Sequence, residues 1–293
     1  MHGLAGYRQS TRPGARPGSV LPSRSRPSLR IAVRPIDSLG SGEARRLHGV
    51  LFDLDDTLLD GAALREDAYS ALFRLRESGL LLVAVTGRPA GWGSVLVRQW
   101  PVAAMVCENG AVAVLRRPNR AESIDSVNAD VRRHRRERLL GFARQLQSEF
   151  PELHPTEDVD SRISDYTFDI GERTRVTREV VHAAGLRARA IGFQTTVSTV
   201  HLHVTLDADD KASGAVRTLR RLRDVDPTVA RWRYGYVGDS ENDSPCFAAF
   251  HTTVAPANLR GRPTVPPRFV TRAPRGAGFA EAAAVIAARR RAP

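Results

Sequence analysis

Lysine is almost missing from this sequence. The chain has 293 residues and 44 lysine and arginine side chains, of which only Lys211 is a lysine. Arginine is a broad planar cation, whereas lysine carries a compact charge on a flexible stem, so the two are not equivalent in a crowded site. Lys211 lies in the stretch DADDKASG, residues 207–214. Either chance left one lysine in an arginine-rich chain, or this position needs a slim cation.

Cysteines and long apolar runs are also scarce. Cys107 and Cys246 are the two cysteines, and they form neither a CxxC motif nor a close pair. This usage does not fit a disulfide framework and favours a reducing, cytoplasmic environment. The apolar runs are short, and LLLVAV, for example, spans only residues 80–85. Because a bilayer-spanning helix needs about 18 apolar residues, no membrane segment is expected.

Acidic residues are scarce at the amino-terminal end. The net charge is +12, and residues 1–48 hold nine arginines against Asp37 and Glu43, so +7 of that charge lies there. Residues 1–46 are rich in Arg, Pro, Ser and Gly without helical or strand periodicity, and we expect a disordered tail. It could contact nucleic acid, act as a targeting segment, or be a start-site artefact or an extension without function. Its only aromatic residue is Tyr7, so base stacking has little support, and no other nucleic-acid contact is expected.

Strands and helices alternate along most of the remaining chain. The run GVLFDL is followed by a predicted helix over 65–78, the strand LLLVAV, a helix over 91–99 and a strand over 103–107. The same alternation of helices and strands returns later in the chain. It comprises a predicted helix over 211–223, a strand over 234–239, a short helix from Asn242, strands over 251–255 and 268–271, and a helix over 277–290. This alternation predicts an α/β fold with a doubly wound, parallel-sheet (Rossmann-like) core.

The intervening segment has a different pattern. It holds a long amphipathic helix over 126–150, a strand over 163–170, a helix over 174–188 and two strands, AIGFQTTVS and TVHLHVTL, that can pair as a hairpin. This content predicts a small α+β insertion. We therefore expect a catalytic core of residues 47–115 and 207–293, with an inserted cap domain of residues 116–206.

Polar residues follow three of the predicted core strands. The first strand ends in Asp53 and Asp55, the second in Thr86-Gly87-Arg88, and a later one in the run GDSEND, residues 238–243. Ligands bind beyond the carboxyl ends of strands in open α/β sheets, so these side chains are expected to meet. Carboxylates crowded in this way repel one another unless a cation lies among them, and an oxygen-only set suits Mg²⁺.

These stretches resemble the four motifs of the haloacid dehalogenase-like hydrolases. DLDDTLLD matches the DxDxT signature, VAVTGRP is similar to the second motif, Lys211 to the third and GDSENDSP to the fourth. The resemblance covers residues 48–290. The insertion is similar to the C2B cap of the Cof-type, sugar-phosphatase branch, and ENGA at residues 108–111 strengthens that resemblance.

The resemblance also implies residue roles. It assigns catalysis to Asp53, Asp55, Thr86 and Lys211, phosphate binding to Thr86, Gly87, Arg88, Lys211 and Asn242, and metal binding to Asp53, Asp55, Asp239 and Asp243. Asp53 is the implied nucleophile, and Asp55 the general acid and then the general base. The implied Mg²⁺ ligands are Asp53, the backbone carbonyl of Asp55, and Asp239. Asp243 would support the metal shell or orient Lys211.

The implied activity is that of a Mg²⁺-dependent phosphatase. Its substrate would be a small phosphorylated metabolite, a sugar or glycosyl phosphate, as for the sucrose-phosphate and mannosyl-3-phosphoglycerate phosphatases of this branch. Three alternatives stay open: a phosphomutase of the phosphomannomutase type, a catalytically silent regulator, and a nucleic-acid-associated protein acting through its tail. In the cap, Arg162, Asp165, His201 and His203 are candidates for contact with substrate.

Overall fold

The computed structural model describes residues 33–198, 200–259 and 261–292. Its strands are β1 (Arg34–Pro35), β2 (Gly49–Phe52), β3 (Leu59–Asp60), β4 (Ala63–Leu64), β5 (Leu81–Val85), β6 (Ala104–Cys107), β7 (Val112–Arg116), β8 (Ala121–Asp125), β9 (His154–Pro155), β10 (Asp165–Asp169), β11 (Gln194–Val197), β12 (His201–Thr205), β13 (Tyr234–Val237), β14 (Thr252–Ala255) and β15 (Phe269–Val270). Its α-helices are α1 (Ser41–Arg46), α2 (Glu66–Glu77), α3 (Ala90–Gln99), α4 (Ala129–Glu149), α5 (Arg178–Ala190), α6 (Lys211–Arg223), α7 (Pro227–Arg233), α8 (Ser244–Ala249) and α9 (Arg275–Arg291).

A nine-stranded sheet forms the core, in the order β1-β15-β14-β13-β2-β5-β6-β7-β8. Its strands run parallel from β1 to β6, and β7 and β8 continue it antiparallel. The chain leaves β2 toward β5 and β6 on one side, and later fills the other side with β13, β14 and β15. The strand order therefore reverses between β2 and β13, where doubly wound folds bind ligands. The predicted fold class is confirmed.

Both faces of this sheet are covered by helices. Val50 and Phe52 of β2 point into one apolar layer, which also holds residues of α1, α2, α3 and α9, whereas Leu51 points into the other, with α6 and α8. Successive side chains of a strand alternate between faces, so a strand covered on both sides reads as one apolar run. For this reason the core strands could be recognised in the sequence.

The inserted segment forms a second, smaller sheet in the order β11-β12-β10-β9, with all neighbours antiparallel. The helices α4 and α5 cover one face of it, and their apolar side chains pack on Phe168, Leu202 and Val204. Its strands β11 and β12 pair as the expected hairpin. Each helix and strand predicted for residues 47–293 has a counterpart in the structure.

The expected boundary of the tail is wrong for residues 33–46. Here β1 pairs with β15 at the sheet edge, and Ile36, Leu39 and Ala44 are buried in the core. Pro35 hid this strand from a periodicity argument, although proline is tolerated in an edge strand, where a missing N–H disturbs no neighbour. The disorder expected for the rest of the tail concerns residues 1–32, which lie outside the described residues.

The expected start of the cap at residue 116 is also wrong. The strand β8 pairs with β7 along its whole length, so the core sheet extends to Asp125. As an edge strand it is half-exposed and mostly polar, which explains why it gave no apolar signal. None of the helices in the described part of the chain is long and apolar enough to cross a membrane.

Candidate active site

Asp53 lies at the point where the strand order reverses. It directly follows β2, and its backbone N–H donates to the carbonyl of Val237, the last residue of β13, at 2.9 Å. The side chain is buried, with 4% of its surface exposed. The carboxylate is therefore held at the joint tip of the two central strands.

Lys211 reaches this carboxylate from the first residue of α6. Its Nζ atom lies 2.9 Å from Asp53 Oδ1 and 2.8 Å from Asp243 Oδ1, and the side chain is buried. Burial alone would lower the pKa of Lys211, but Asp243 and Asp53 outweigh burial and raise it above its usual value. The ammonium group is thus charged and fixed between two carboxylates, one of which is the predicted nucleophile.

Asp243 has both carboxylate oxygens occupied by donors from the protein. Besides Lys211, the hydroxyl of Tyr236 donates to Oδ1 at 2.6 Å, and the backbone N–H groups of Asp239 and Ser240 donate to Oδ2 at 2.9 and 3.1 Å. Gly238 makes this turn possible, because a Cβ there would lie 2.5 Å from the Asp243 carboxyl carbon. The arrangement favours the orienting role for Asp243 over direct metal binding.

The site fits a divalent cation. Carboxylate oxygens of Asp53, Asp239 and Asp243 lie within 4.8 Å of one another, and all three residues are buried. Burial raises the pKa of Asp53 and the neighbouring carboxylates of Asp243 and Asp239 raise it further, while Lys211 lowers it. A cation among these oxygens would offset that cost, and an all-oxygen donor set suits Mg²⁺. Because each Asp243 oxygen already accepts two hydrogen bonds, Asp53 and Asp239 are the side chains better suited to hold it.

Asp55 and Arg88 form an ion pair beside the cluster. Arg88 Nη2 lies 2.5 Å from Asp55 Oδ1, and its Nε donates to the same oxygen at 3.0 Å. The guanidinium group also lies 4.4 Å above the ring of Trp92, which is partly exposed. Both residues were predicted site residues, but their pairing was not foreseen.

Thr86 and Gly87 form the turn that follows β5. The Thr86 hydroxyl accepts a hydrogen bond from the backbone N–H of Arg88 at 3.1 Å, and the Thr86 carbonyl accepts one from the backbone N–H of Asn109 at 3.1 Å. Asn242 lies farther along the rim, in the turn Glu241–Asp243, where its side-chain oxygen accepts a bond from Ser240. The second motif is thus held by hydrogen bonds from the backbone N–H groups of Arg88 and Asn109 to Thr86.

Glu108 joins the core to the cap, a role that sequence reasoning missed. Its carboxylate accepts hydrogen bonds from the backbone N–H of Ala90 at 3.0 Å, from those of Ile163 and Ser164 at 2.9 and 2.6 Å, and from the Ser164 hydroxyl at 2.5 Å. From the cap side, Arg162 donates to the carbonyl of Gly87 at 3.0 Å. The ENGA stretch was a signal for this contact, but its chemistry depends on a partner 55 residues away.

The remaining cap candidates divide between two positions. Asp165 is buried with Arg162 and His203, whose closest contacts to its carboxylate are 3.1 and 2.8 Å. Burial alone would raise the pKa of Asp165, but Arg162 and His203 outweigh it and lower it to about 2. His201 pairs with Glu172 at 2.9 Å, and its ring meets that of His203 edge to face, with 5.9 Å between the ring centroids. The two histidines thus have different carboxylate partners.

A doubly wound sheet with an acidic cluster at its switch point and an inserted cap defines the class of protein, a capped α/β enzyme. Residues 50–135 match the family model for haloacid dehalogenase-like hydrolases. A comparison with curated protein sequences found no match. This match covers the first two motifs and agrees with the family resemblance that the motifs predicted.

Solved structures with the same fold cover most of the chain. The sucrose-phosphatase of Synechocystis, in complex with sucrose and phosphate, has a TM-score of 0.58 at 17% identity, over 83% of this chain and 98% of its own. A haloacid dehalogenase-like hydrolase from Bacteroides thetaiotaomicron has a TM-score of 0.62 at 15% identity, over 82% and 99%. Another from B. subtilis has a TM-score of 0.60 at 15% identity, over 81% and 99%. These likenesses extend through core and cap alike.

Proposed function

We propose that this protein is a Mg²⁺-dependent phosphatase that hydrolyses a small phosphorylated sugar through an aspartyl-phosphate on Asp53. The observation that supports this best is the buried contact between Lys211 and Asp53, with Asp239 beside them, at the switch point of the sheet. A solved relative whose name states a substrate, the sucrose-phosphatase, supports a sugar phosphate. Two free, buried cysteines support a cytoplasmic location.

In the first half-reaction an Asp53 oxygen attacks phosphorus and the bond from phosphorus to the leaving oxygen breaks. Lys211 already lies 2.9 Å from Asp53, so it is placed to offset negative charge on the phosphoryl oxygens as the transition state forms. Asp55 supplies a proton to the leaving oxygen. When bound, Mg²⁺ supplies further charge neutralisation, held by Asp53, Asp239 and the backbone carbonyl of Asp55.

In the second half-reaction water replaces the sugar. Asp55 takes a proton from the water as its oxygen bonds to phosphorus, and the bond between phosphorus and Asp53 breaks to release phosphate. In this proposal, Thr86 and the backbone N–H of Gly87 hold phosphoryl oxygens. Arg88 is placed to bind the substrate phosphoryl group, which requires it to leave its contact with Asp55.

The test is a phosphatase assay of the full-length protein. We expect it to release phosphate from p-nitrophenyl phosphate and from sugar phosphates when Mg²⁺ is present, and to lose this activity in EDTA. Asp53→Asn removes the nucleophile at nearly constant shape, so turnover should fall at least about a thousandfold. Retained turnover in this variant would refute the mechanism, and isomer formation in place of phosphate release would indicate a mutase.

A further inference from the structure

One face of the cap sheet is polar along three strands. Facing positions in the register are Thr196, His203 and Thr167 across the sheet, and Gln194, Thr205 and Asp165 in the next row. The opposite face carries the apolar side chains that pack on α4 and α5. Polar side chains on a sheet face normally lie in water, yet Asp165, Thr167 and His203 are buried. This face is covered by the core.

A cavity of about 250 Å³ lies between that face and the core. Cap residues Gln194, Thr196 and His203 line it on one side, and Glu108 and Asn109 on the other. It adjoins the second motif, because a Cβ added to Gly87 would lie 3.2 Å from Asn109 Oδ1 and 3.5 Å from His203 Cε1. A phosphoryl group held at Thr86 and Gly87 would therefore place its leaving group in or beside this cavity.

Asn109 offers an acceptor that the described protein leaves unsatisfied. Its side-chain oxygen is buried, and no donor in residues 33–198, 200–259 or 261–292 reaches it. Leaving a buried polar atom without a partner is unfavourable, so such atoms are rare outside functional sites. The residue is also held in the left-handed region, at φ +51°, which fixes the direction of its side chain. A hydroxyl donor from a ligand would satisfy this oxygen.

His203 offers a second acceptor in the same cavity. Its Nδ1 lies 2.8 Å from Asp165 Oδ2, and a carboxylate can only accept, so Nδ1 carries a proton. Burial lowers the pKa of His203 despite the carboxylate of Asp165, which favours the neutral ring. In that form Nε2 has a free lone pair and can accept a hydrogen bond. Two oriented acceptors match a partner with several hydroxyl donors.

The negative charge of the cavity wall distinguishes neutral leaving groups from anionic ones. Its acidic lining residues are Glu108, Asp165, Asp207 and Asp209, and among the described residues neither lysine nor arginine lines it. Arg162, Arg132 and Arg217 pair with Asp165, Asp207 and Asp209 from outside the lining. A second anionic group on the substrate would lose its hydration here without gaining a cation.

We propose that this cavity binds an uncharged, polyhydroxylated leaving group through Asn109 and His203, and excludes leaving groups that carry a carboxylate. The inference rests on the proposed phosphatase function and narrows it. Between the substrate types expected for this branch, it selects a neutral sugar over a glyceric acid.

The test uses two pairs of substrates that differ mainly in one carboxylate. They are glucose 6-phosphate against 6-phosphogluconate, and glycerol 3-phosphate against 3-phosphoglycerate. We expect kcat/KM to favour the neutral member of each pair at least about tenfold, since a site built for hydroxyl donors rejects an unpaired charge. An equal or higher value for the acidic members would overturn the inference. If the wild-type protein hydrolyses neither these four substrates nor p-nitrophenyl phosphate, the proposed function itself fails.

A variant with an added positive charge tests whether the preference for neutral substrates arises in this cavity. Gln194 is an exposed residue at the cavity rim, so Gln194→Lys adds a cation there without disturbing the core. We expect the preference for the neutral substrates to narrow by about fivefold, as an exposed charge pair would produce. Gln145→Lys is the matched control, because Gln145 is exposed on α4 and lies outside the cavity lining. A ratio that shifts equally in both variants would show that the selection arises elsewhere.

Discussion

The core sheet and the cap sheet present their polar side chains in different places. The core sheet is covered on both faces, so its chemistry lies at strand tips, where Asp53 and Asp239 follow β2 and β13. The cap sheet is apolar on one face only, and its other face presents side chains from the middle of the strands. In the core, backbone geometry positions a few groups rigidly. In the cap, several side chains from this face line the cavity next to the core.

Under the proposed function, the reaction takes place in the core and the cap chooses the leaving group. Strand tips at a switch point recur in any doubly wound sheet, so the reacting groups depend little on what the cap contains. A sheet face can change its polar side chains without altering the register, because the apolar face alone holds the sheet to its helices. Variants in the core should therefore affect all substrates, and variants in the cap should affect them unequally.

Among the substitutions that test this division between core and cap, the largest effect is expected from Lys211→Arg in the core. Lys211 is 1% exposed between two carboxylates, and a guanidinium there would have to displace Asp53 or Asp243. We expect turnover to fall about a hundredfold or more for every substrate, as for loss of a group aimed at developing charge. Phosphate release measured on p-nitrophenyl phosphate and on sugar phosphates checks this.

The control for Lys211→Arg is Arg220→Lys, since Arg220 is exposed on the same helix. It should change neither turnover nor the unfolding temperature. Circular dichroism of Lys211→Arg must show a folded core for the comparison to count. Near-normal turnover in a folded Lys211→Arg variant would mean that the single lysine is an accident of composition.

The sequence predicted the centre of the core sheet more completely than its two edges, for physical reasons. The helix α6 was predicted at its observed ends because Asp210 caps it in a capping box with Ser213, a signal local in sequence. The meeting of Asp53 and Asp243 could be predicted because strand tips converge on one edge, whereas Lys211, at the start of a helix, was implied only by the family resemblance. By contrast, β8 is an edge strand without an apolar run, and β1 contains Pro35.

Contacts between distant polar groups could not be predicted in either region. The pairing of Arg88 with Asp55 joins residues 33 positions apart, and Glu108 accepts from residues 55 and 56 positions away. In both cases, no periodicity or spacing in the sequence indicates which residues will be in contact. Such contacts depend on how two finished surfaces dock, which is determined after the local elements are formed.

A stability effect of intermediate size is expected from Asp169→Asn in the cap. Asp169 ends β10 and accepts hydrogen bonds from the backbone N–H groups of residues 171–174, between 2.7 and 3.0 Å. Burial alone would raise the pKa of Asp169, but these donors outweigh burial and lower it to about 2. We expect the variant to lose about 2 kcal/mol of unfolding free energy at pH 7, since hydrogen bonds to a charged acceptor contribute about 1.5–3 kcal/mol.

The pH dependence of this loss gives a second check. A lowered pKa in the folded state contributes stability that is present above the usual value near 3.8 and is lost as the pH falls toward about 2. The difference between wild type and variant in urea unfolding should therefore be constant near neutral pH and shrink below about pH 4. Asp160→Asn, at an exposed position, is the control and should show no such difference. A difference that persists at low pH would contradict the assignment.

The smallest effect is expected at the junction of the two regions. Glu108→Gln keeps the size of the side chain but replaces one acceptor oxygen with an NH₂ group, so it can no longer accept from Ala90, Ile163 and Ser164 together. If the cap chooses the leaving group, loosening it should raise KM for sugar phosphates about fivefold and change kcat less, because the reacting groups stay in the core. Hydrogen exchange at the amides of Ile163 and Ser164 should quicken at the same time, whereas Glu152→Gln at an exposed position should alter neither measurement. A fall in kcat with unchanged KM would instead mean that docking of the cap positions the reacting groups themselves. The assignment of the reaction to the core and of substrate choice to the cap would then be wrong.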